Sequence, residues 1–93
     1  LLDVEEHTVT KNGEKIELTA KEFEILRLLL ENPKKVYTKE QIYLKVWKDA
    51  YFGDENAVNV QISRLRNKLE DDPHDPRIVV TVWGIGYKLG DIQ

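Results

Sequence analysis

The most constraining feature of the sequence is a regular apolar stripe between residues 56 and 70. Val58, Ile62, Leu65 and Leu69 recur three or four positions apart, which is the spacing of one buried face of an amphipathic helix. A helix with a single apolar face has to dock on a core that the rest of the chain supplies. The stripe therefore predicts a helix over this range that packs on a small domain.

The opposite face of this predicted helix is polar, with basic residues and no acidic residue up to position 69. At about 100° per residue, five side chains project away from the apolar stripe. These are Asn56, Val60, Ser63, Arg64 and Asn67, while Gln61, Arg66 and Lys68 lie on the flanks. Amides, arginine, a hydroxyl and a methyl-bearing side chain are the groups that read base edges in a DNA major groove. We therefore interpret the segment as a DNA recognition helix.

Composition limits the other possibilities. The chain has 93 residues, so we expect a single domain over residues 1–93 with one modest core. It has no cysteine, which excludes disulfides and thiolate metal sites and fits a cytoplasmic protein. No apolar run approaches the roughly 20 residues of a membrane-spanning helix. We accordingly expect no cofactor, no bound metal and no membrane contact.

The net charge of −3 is unusual for a domain that binds nucleic acid. Lysines predominate between residues 34 and 48, whereas acidic residues collect near the amino terminus, just before residue 56 and after residue 69. Exposed charges are screened beyond about 8 Å at physiological salt, so a local basic face can act while the whole chain is acidic. We expect this asymmetry to limit non-specific affinity.

The first half of the chain is predicted to form a small sheet followed by two helices. Residues 8 to 18 alternate around Asn12-Gly13, the signal for a two-residue hairpin turn. Capping boxes begin helices at Thr19 and Thr38, and the second helix is expected to end near Lys48. A further strand could come from Leu1, Leu2 and Val4.

Both ends of the second helix carry candidate DNA contacts. Lys39 at its start and Trp47 at its end could meet a phosphate, because backbone N–H groups at a helix start and an indole N–H both donate hydrogen bonds. A solvated lysine and a core tryptophan are the alternatives.

The loop after the second helix holds two adjacent aromatic residues among acids. Ala50, Tyr51, Phe52 and Gly53 are a candidate protein contact surface, and packing of Tyr51 or Phe52 on the core is the alternative. Asp54 or Asn56 is expected to cap the third helix.

The end of the chain predicts a β-hairpin around a Gly84-Ile85-Gly86 corner, between β-branched residues 78–82 and residues 87–89. A hairpin that follows a recognition helix is a wing. Trp83 at its tip and Lys88 would then lie close to the DNA backbone.

Four ordered segments, LTAKEFEILRLLL, TKEQIYLKVW, VNVQISRLRNKLE and TVWGIGYKL, resemble the OmpR/PhoB-type effector domains of bacterial two-component response regulators. The resemblance covers nearly all of the chain. It implies an α+β winged helix-turn-helix with an amino-terminal antiparallel sheet, three helices and a carboxy-terminal hairpin. It also implies a receiver domain before Leu1, control by a sensor histidine kinase, head-to-tail pairing on direct repeats of double-stranded DNA, and contact of residues 49–55 with RNA polymerase.

The resemblance also implies roles by position. Residues that fall where the family approaches bases are Val60, Ser63, Arg64 and Asn67, and Asn56 and Asn59 complete the expected base-reading set. Residues that fall where it contacts the DNA backbone are Trp47, Gln61, Arg66, Thr81 and Tyr87, to which the basic pattern adds Lys39, Lys68 and Lys88. The family often has an arginine at the position of Trp83, where it can enter the minor groove. Tryptophan could instead pack against sugars, or turn inward and leave the wing to contact phosphates alone.

The leading hypothesis is sequence-specific binding of duplex DNA in transcription control. If about four phosphates are neutralised, log K should fall with log salt at a slope near −3.6. A winged helix that binds protein without sequence-specific DNA binding is the alternative, because fold alone does not decide function. An enzyme is not expected, since the chain has no cysteine nucleophile or G-x-S-x-G motif and His7 and His74 lie in polar segments.

Overall fold

The computed structural model describes residues 2–3 and 7–90 of the chain, with only the backbone described for residues 2–3. The described elements are β1 (Leu2–Asp3), β2 (Thr8–Lys11), β3 (Glu14–Glu17), α1 (Ala20–Glu31), α2 (Lys39–Val46), α3 (Glu55–Leu69), β4 (Val79–Val82) and β5 (Gly86–Leu89). This is the expected α+β order. Leu1 and Val4, two of the residues expected to supply a first strand, lie outside the described residues. No described helix is long and apolar enough to cross a bilayer.

The amino-terminal sheet has the antiparallel order β1-β2-β3, with Val9 opposite Ile16 in the β2–β3 pair. Asn12 and Gly13 form its turn with φ of 51° and 81°, the left-handed backbone that a tight hairpin turn requires. The predicted hairpin is therefore confirmed. Lys11 donates from this hairpin to the carbonyl of Leu69 and pairs with Asp71, so the sheet is tied to the end of α3.

The helix starts confirm both capping boxes. Thr19 accepts from the backbone of Glu22 at 3.3 Å, and the Glu22 carboxylate accepts from the backbone of Thr19 at 2.9 Å. Thr38 and Gln41 make the same reciprocal pair, each bond at 3.0 Å. Such bonds satisfy N–H groups that have no partner within the helix.

Two helix boundaries differ from expectation. α2 ends at Val46 rather than near Lys48, because Lys48 adopts a φ of 58° that a right-handed helix cannot accommodate. Asp54 is the residue that precedes α3, as expected, but its side chain makes no capping hydrogen bond. Its φ of −79° and ψ of 51° depart from the extended backbone that Thr19 and Thr38 adopt at their helix starts.

The core lies where the three helices meet the wing. Phe23, Ile25, Ile42, Val58 and Leu65 are all fully buried. The whole predicted stripe of α3 is buried, as its spacing required. This packing fixes which side of α3 faces solvent.

The wing is attached to the rest of the fold at both ends. β4 and β5 pair antiparallel, with Thr81 opposite Tyr87, and Tyr37 forms a backbone bridge to Tyr87 with bonds of 2.8 and 2.9 Å. A Cβ atom at Gly86 would lie 1.9 Å from the carbonyl oxygen of Tyr37, so only glycine allows this approach. At the other end, the buried Glu70 carboxylate accepts from the backbone N–H groups of residues 77, 78 and 79 at 2.8–3.0 Å.

Candidate nucleic-acid interface

α3 presents three different surfaces outside its buried stripe. With about 100° between successive side chains, one surface faces outward, one faces the wing and one faces α1. The structure thereby separates the residues that sequence analysis had grouped as one polar face with two flanks.

The outward surface consists of Asn56, Val60, Ser63, Arg64 and Asn67, all of which are exposed. Within the described part of the chain, none of these side chains makes a hydrogen bond or ion pair. Val60 is 45% exposed at the centre of the surface. The predicted base-reading residues other than Asn59 are thus together and available to a ligand.

The surface toward the wing is dominated by Arg66. Its guanidinium donates to the carbonyl of Val79 from Nε at 3.0 Å and from Nη2 at 2.8 Å, and Nη2 also donates to the Thr81 hydroxyl at 2.7 Å. The same guanidinium carbon lies 5.5 Å from the centroid of the Tyr87 ring. Burial lowers the pKa of Arg66, while the nearby Tyr87 and Glu70 act in the opposite direction. Arg66 and Thr81, expected at the DNA backbone, therefore bind each other and hold the wing against α3.

Asn59 and Tyr87 complete this contact. The Tyr87 hydroxyl donates to Oδ1 of Asn59 at 3.1 Å, and Tyr87 is only 8% exposed. With Oδ1 occupied, the Asn59 amide offers its N–H groups and no free strong acceptor. It is therefore not arranged for the bidentate donor-and-acceptor contact by which asparagine reads adenine.

The surface toward α1 holds Lys68 and Gln61. Lys68 donates to Oε1 of Glu22 at 2.5 Å, and the Glu22 side chain is 1% exposed. Burial alone would raise the pKa of Glu22, but hydrogen bonds from Lys68 and from the Thr19 backbone outweigh it and hold that pKa below its ordinary value. Oε2 of Glu22 and Oε1 of Gln61 are buried without a partner among the described residues. Lys68 consequently anchors α3 to α1 through an ion pair.

A groove of about 680 Å³ separates the wing-facing surface of α3 from the wing tip. Its lining includes Lys39 at the start of α2, Asn59 and Arg66 on α3, and residues 81–87 of the wing. The exposed carboxylates Glu40 and Glu55 also line it, so the groove is not strongly basic. It is open, elongated between two elements and rich in hydrogen-bond donors.

The remaining expected backbone contacts have different settings. The Trp47 ring stacks on Tyr43 at 4.9 Å with 7° between the planes, and Lys21 lies 5.5 Å from its centroid. Trp47 is therefore half-buried against its neighbours. Lys88 alternates with Tyr87 along β5, so it points to the face of the wing opposite α3 and does not line the groove.

The loop between α2 and α3 resolves the question left open for its two aromatic residues. Tyr51 packs back on Tyr43 with ring centroids 5.4 Å apart, whereas Phe52 is 85% exposed. Ala50 is exposed, and Gly53 adopts a φ of 81° that turns the chain toward α3. Phe52 is thus the apolar tip of this loop.

Two carboxylates have roles that sequence analysis missed. Glu22 was expected only as a capping residue, and Glu70 only as one of the acids that follow the third helix. The signal for Glu70 was its position: it directly follows the buried Leu69 and precedes a turn whose N–H groups need acceptors. Nothing local indicated the pairing of Glu22 with a lysine 46 positions away.

Comparison with protein families gives one match. Residues 13–89 match the family described as "Transcriptional regulatory protein, C terminal". The matched range includes α1, α2, α3 and the wing.

Several curated proteins are similar over nearly the whole chain. The uncharacterized transcriptional regulatory protein YcbL of Bacillus subtilis strain 168 is 53% identical over 90 residues, which cover 97% of this chain and 40% of that protein. The sensory transduction protein RegX3 of Mycolicibacterium smegmatis is 47% identical over 95% of this chain and 39% of its own length. The DNA-binding response regulator MtrA of Mycobacterium tuberculosis H37Rv is 45% identical over 96% of this chain and 39% of its own. The chain thus spans about two-fifths of the length of these relatives.

Solved structures agree with the fold. The response regulator DrrB, a Thermotoga maritima OmpR/PhoB homolog, superposes with a TM-score of 0.84 at 40% identity, over 96% of this chain and 40% of that one. The DNA-binding domain of Klebsiella pneumoniae RstA, solved in complex with the RstA box, superposes with a TM-score of 0.85 at 28% identity, over 96% of this chain and 88% of that one. The fold described above is therefore similar to that of OmpR/PhoB-type DNA-binding domains.

Proposed function

The chain belongs to the family of transcriptional regulatory protein C-terminal domains, and from that premise we propose that it is the sequence-specific DNA-binding output domain of an OmpR/PhoB-type response regulator. The observation that carries the proposal is the outward surface of α3. Its polar side chains have no partners among the described residues, although the helix beneath them is firmly docked. Such a surface fits a DNA major groove, which admits one α-helix.

We assign base reading to the outward surface. Arg64 offers the fork of donors that recognises guanine O6 and N7, and Asn67 can read adenine with a free amide. Val60 offers methyl groups to a thymine methyl. Ser63 and Asn56 add shorter polar contacts at the same surface.

We assign backbone contact to the groove beside the wing. Lys39 and the donating amide of Asn59 line it, and the first N–H groups of α2 open toward it. In this assignment Asn59 moves from base reading to the backbone. Arg66, Thr81, Tyr87 and Lys68 become positioning residues, because their polar groups bind within the protein.

Selection of duplexes from a random-sequence library tests the proposal. We expect an enriched motif, with affinity for it at least about 10³-fold above that for scrambled duplex. Equal binding of all duplexes, or none, would contradict sequence-specific recognition and favour a protein-binding role.

We further propose that the exposed Phe52 makes the loop between α2 and α3 a contact for RNA polymerase. Phe52 is exposed while its neighbour Tyr51 is packed, so truncation of Phe52 should leave the fold intact. We expect Phe52→Ala to bind the selected duplex normally but to lose binding of RNA polymerase on that duplex. Tyr51→Phe, which keeps the packed ring, is the matched control. Unchanged polymerase binding by Phe52→Ala would refute this assignment.

For the whole protein we propose a cytoplasmic regulator in which a receiver domain, phosphorylated by a sensor histidine kinase, controls this output domain. Head-to-tail pairing on direct repeats would place two copies of α3 on one side of the duplex. The spacing of half-sites in the selected motif tests this arrangement: two repeats of the same polarity support it, and an inverted repeat contradicts it.

A further inference from the structure

The wing tip is an apolar projection. Trp83 is 90% exposed and Ile85 is 58% exposed, on either side of Gly84, whose φ of 79° forms the turn. The Trp83 ring makes no aromatic or cation-π contact with any other described residue. Adjacent large apolar side chains that are held in water point to a contact with another molecule.

The chemistry of the wing restricts what that contact can be. From Ile78 to Tyr87 the sequence IVVTVWGIGY contains no charged residue. Lys88, which follows it, points to the far face of the hairpin. The tip therefore offers apolar surface, the indole N–H and backbone groups, and it cannot make an ionic contact with a phosphate.

The tip is also held at a fixed position relative to α3. Ile85 donates to the carbonyl of Val82 at 3.0 Å, and Tyr37 bridges to Tyr87 just beyond the turn. Arg66 fastens β4 to α3 by three hydrogen bonds. A rigid hairpin loses little conformational entropy when its tip is covered.

The groove between α3 and the wing tip gives the tip its place on a duplex. When α3 lies in the major groove, one phosphate backbone borders it on the wing side, and the open groove of about 680 Å³ is where that backbone can run. Across this backbone lies the minor groove, about 6 Å wide and walled by deoxyribose. The tip stands on that side of the groove because residues 83–85 form its outer edge.

We propose that Trp83 and Ile85 make an apolar contact with the deoxyribose walls of the minor groove that neighbours the site read by α3. This inference rests on the proposed DNA-binding function and assigns one part of it to the wing tip. Apolar side chains are known to occupy minor grooves, where they read shape instead of charge. Because the amino group at guanine N2 projects into the minor groove, the tip should favour steps that lack it.

Inosine substitution tests the contact without altering the major groove. A single-site duplex that carries the selected motif is prepared with guanine or with inosine in the base pairs under the wing. Inosine lacks only the minor-groove amino group, so α3 meets the same base edges. We expect the chain to bind the inosine duplex about 3- to 10-fold more tightly than the guanine duplex.

Variants identify the side chains responsible. Trp83→Ala combined with Ile85→Ala should weaken binding, abolish the inosine preference and leave the salt slope unchanged, because no charge is removed. Phe52→Ala removes an equally exposed aromatic residue from another loop and should keep the preference. The chain has two tryptophans, so a change in fluorescence on DNA binding that disappears in Trp83→Phe would report the same contact directly.

The outcomes separate this inference from the proposed function. Sequence-specific binding with no inosine preference and no effect of the double variant would overturn the minor-groove contact and leave the proposed function standing. Absence of any duplex preference would overturn the proposed function itself. Weakening that appears only on a two-site duplex would assign the tip to a second copy of the chain and likewise overturn the inference.

Discussion

Arg66 shows how a basic residue on a DNA-binding helix can serve the fold. Its guanidinium is shared between Val79 and Thr81, so it links α3 to the wing and has little freedom to reach a phosphate. Arg64, two positions earlier, has no such partner among the described residues. The two arginines therefore should fail in different ways when they are changed.

Arg66→Gln should lower the free energy of unfolding by about 1–3 kcal/mol, because the Val79 carbonyl and Thr81 hydroxyl lose charged donors. Its DNA affinity should fall equally for preferred and scrambled duplexes, with an unchanged salt slope. Urea unfolding and binding at several salt concentrations measure both effects. Arg64→Gln is the control and should leave stability within about 0.5 kcal/mol. Full stability of Arg66→Gln with a salt slope reduced by about 0.9 would instead make Arg66 a phosphate contact.

Glu22 predicts a pH dependence of stability. Its pKa is held below the ordinary value of 4.5 in the folded chain, chiefly because donors from Lys68 and Thr19 outweigh burial. A depressed folded pKa contributes stability above the unfolded pKa, and this contribution is lost as pH falls through the folded pKa. We expect stability to decline on acidification below about pH 4.5 and Glu22→Gln to remove part of that decline, measured by thermal unfolding from pH 7 to 3.

Glu24→Gln, on the same helix but without an ion pair among the described residues, provides the control for Glu22. It should keep the wild-type pH profile. An identical acid-induced decline in Glu22→Gln would contradict the assignment of this effect to Glu22.

Sequence patterns specified residues by their faces but could not specify their partners. The spacing of α3 correctly separated its buried stripe from its outward surface. Arg66, Lys68 and Asn59 were predicted as DNA contacts because they are polar and flank that surface. Their internal partners depend on the docking of the wing and α1, which the local sequence does not encode.

At the scale of elements, helix starts differ in how much their side chains stabilise them. Thr19 caps α1 with a reciprocal pair of hydrogen bonds, whereas Asp54 precedes α3 without one. Thr19→Ala should therefore cost about 0.5–2 kcal/mol, and Asp54→Ala clearly less. Chemical denaturation of both variants checks this. A loss for Asp54→Ala as large as that for Thr19→Ala would show that its side chain caps α3 in solution.

The bridge between the segment before α2 and the wing depends on Gly86. A methyl group there would meet the Tyr37 carbonyl at 1.9 Å, so Gly86→Ala should force the wing away and destabilise the fold by about 1–3 kcal/mol or more. Gly13→Ala is the control, since it has open space and only a left-handed φ of 81°. It should cost about 1 kcal/mol. Equal costs for the two variants, from urea unfolding, would contradict a specific role for the bridge.

Element types were more predictable than element ends. Capping boxes and the Asn12-Gly13 turn act through neighbours in sequence, and they formed as expected. The short end of α2 follows from the left-handed backbone at Lys48, which the sequence did not signal. The Tyr37 bridge is a contact between segments 50 positions apart and was predicted only as a short extended piece.

At the scale of the molecule, charge contributes less to binding than composition first suggested. Of the four residues expected to neutralise phosphates, Arg66 and Lys68 bind within the protein and Lys88 faces away from the groove. Lys39 remains, together with Arg64 on the outward surface. About two neutralised phosphates predict a salt slope near −1.8 instead of −3.6. A measured slope of −3.6 or steeper would contradict this arrangement of basic residues.

The central claim is that the outward surface of α3 reads base edges, and the ratio of affinities for preferred and scrambled duplex tests it most directly. At fixed salt, Arg64→Ala should lose about 1–3 kcal/mol on the preferred duplex and little on the scrambled one, so that the ratio falls and one base position becomes degenerate. Arg66→Gln, measured alongside it, should weaken both duplexes equally and keep the ratio. An unchanged ratio for Arg64→Ala, with equal loss on both duplexes, would show that this surface only contacts the DNA backbone.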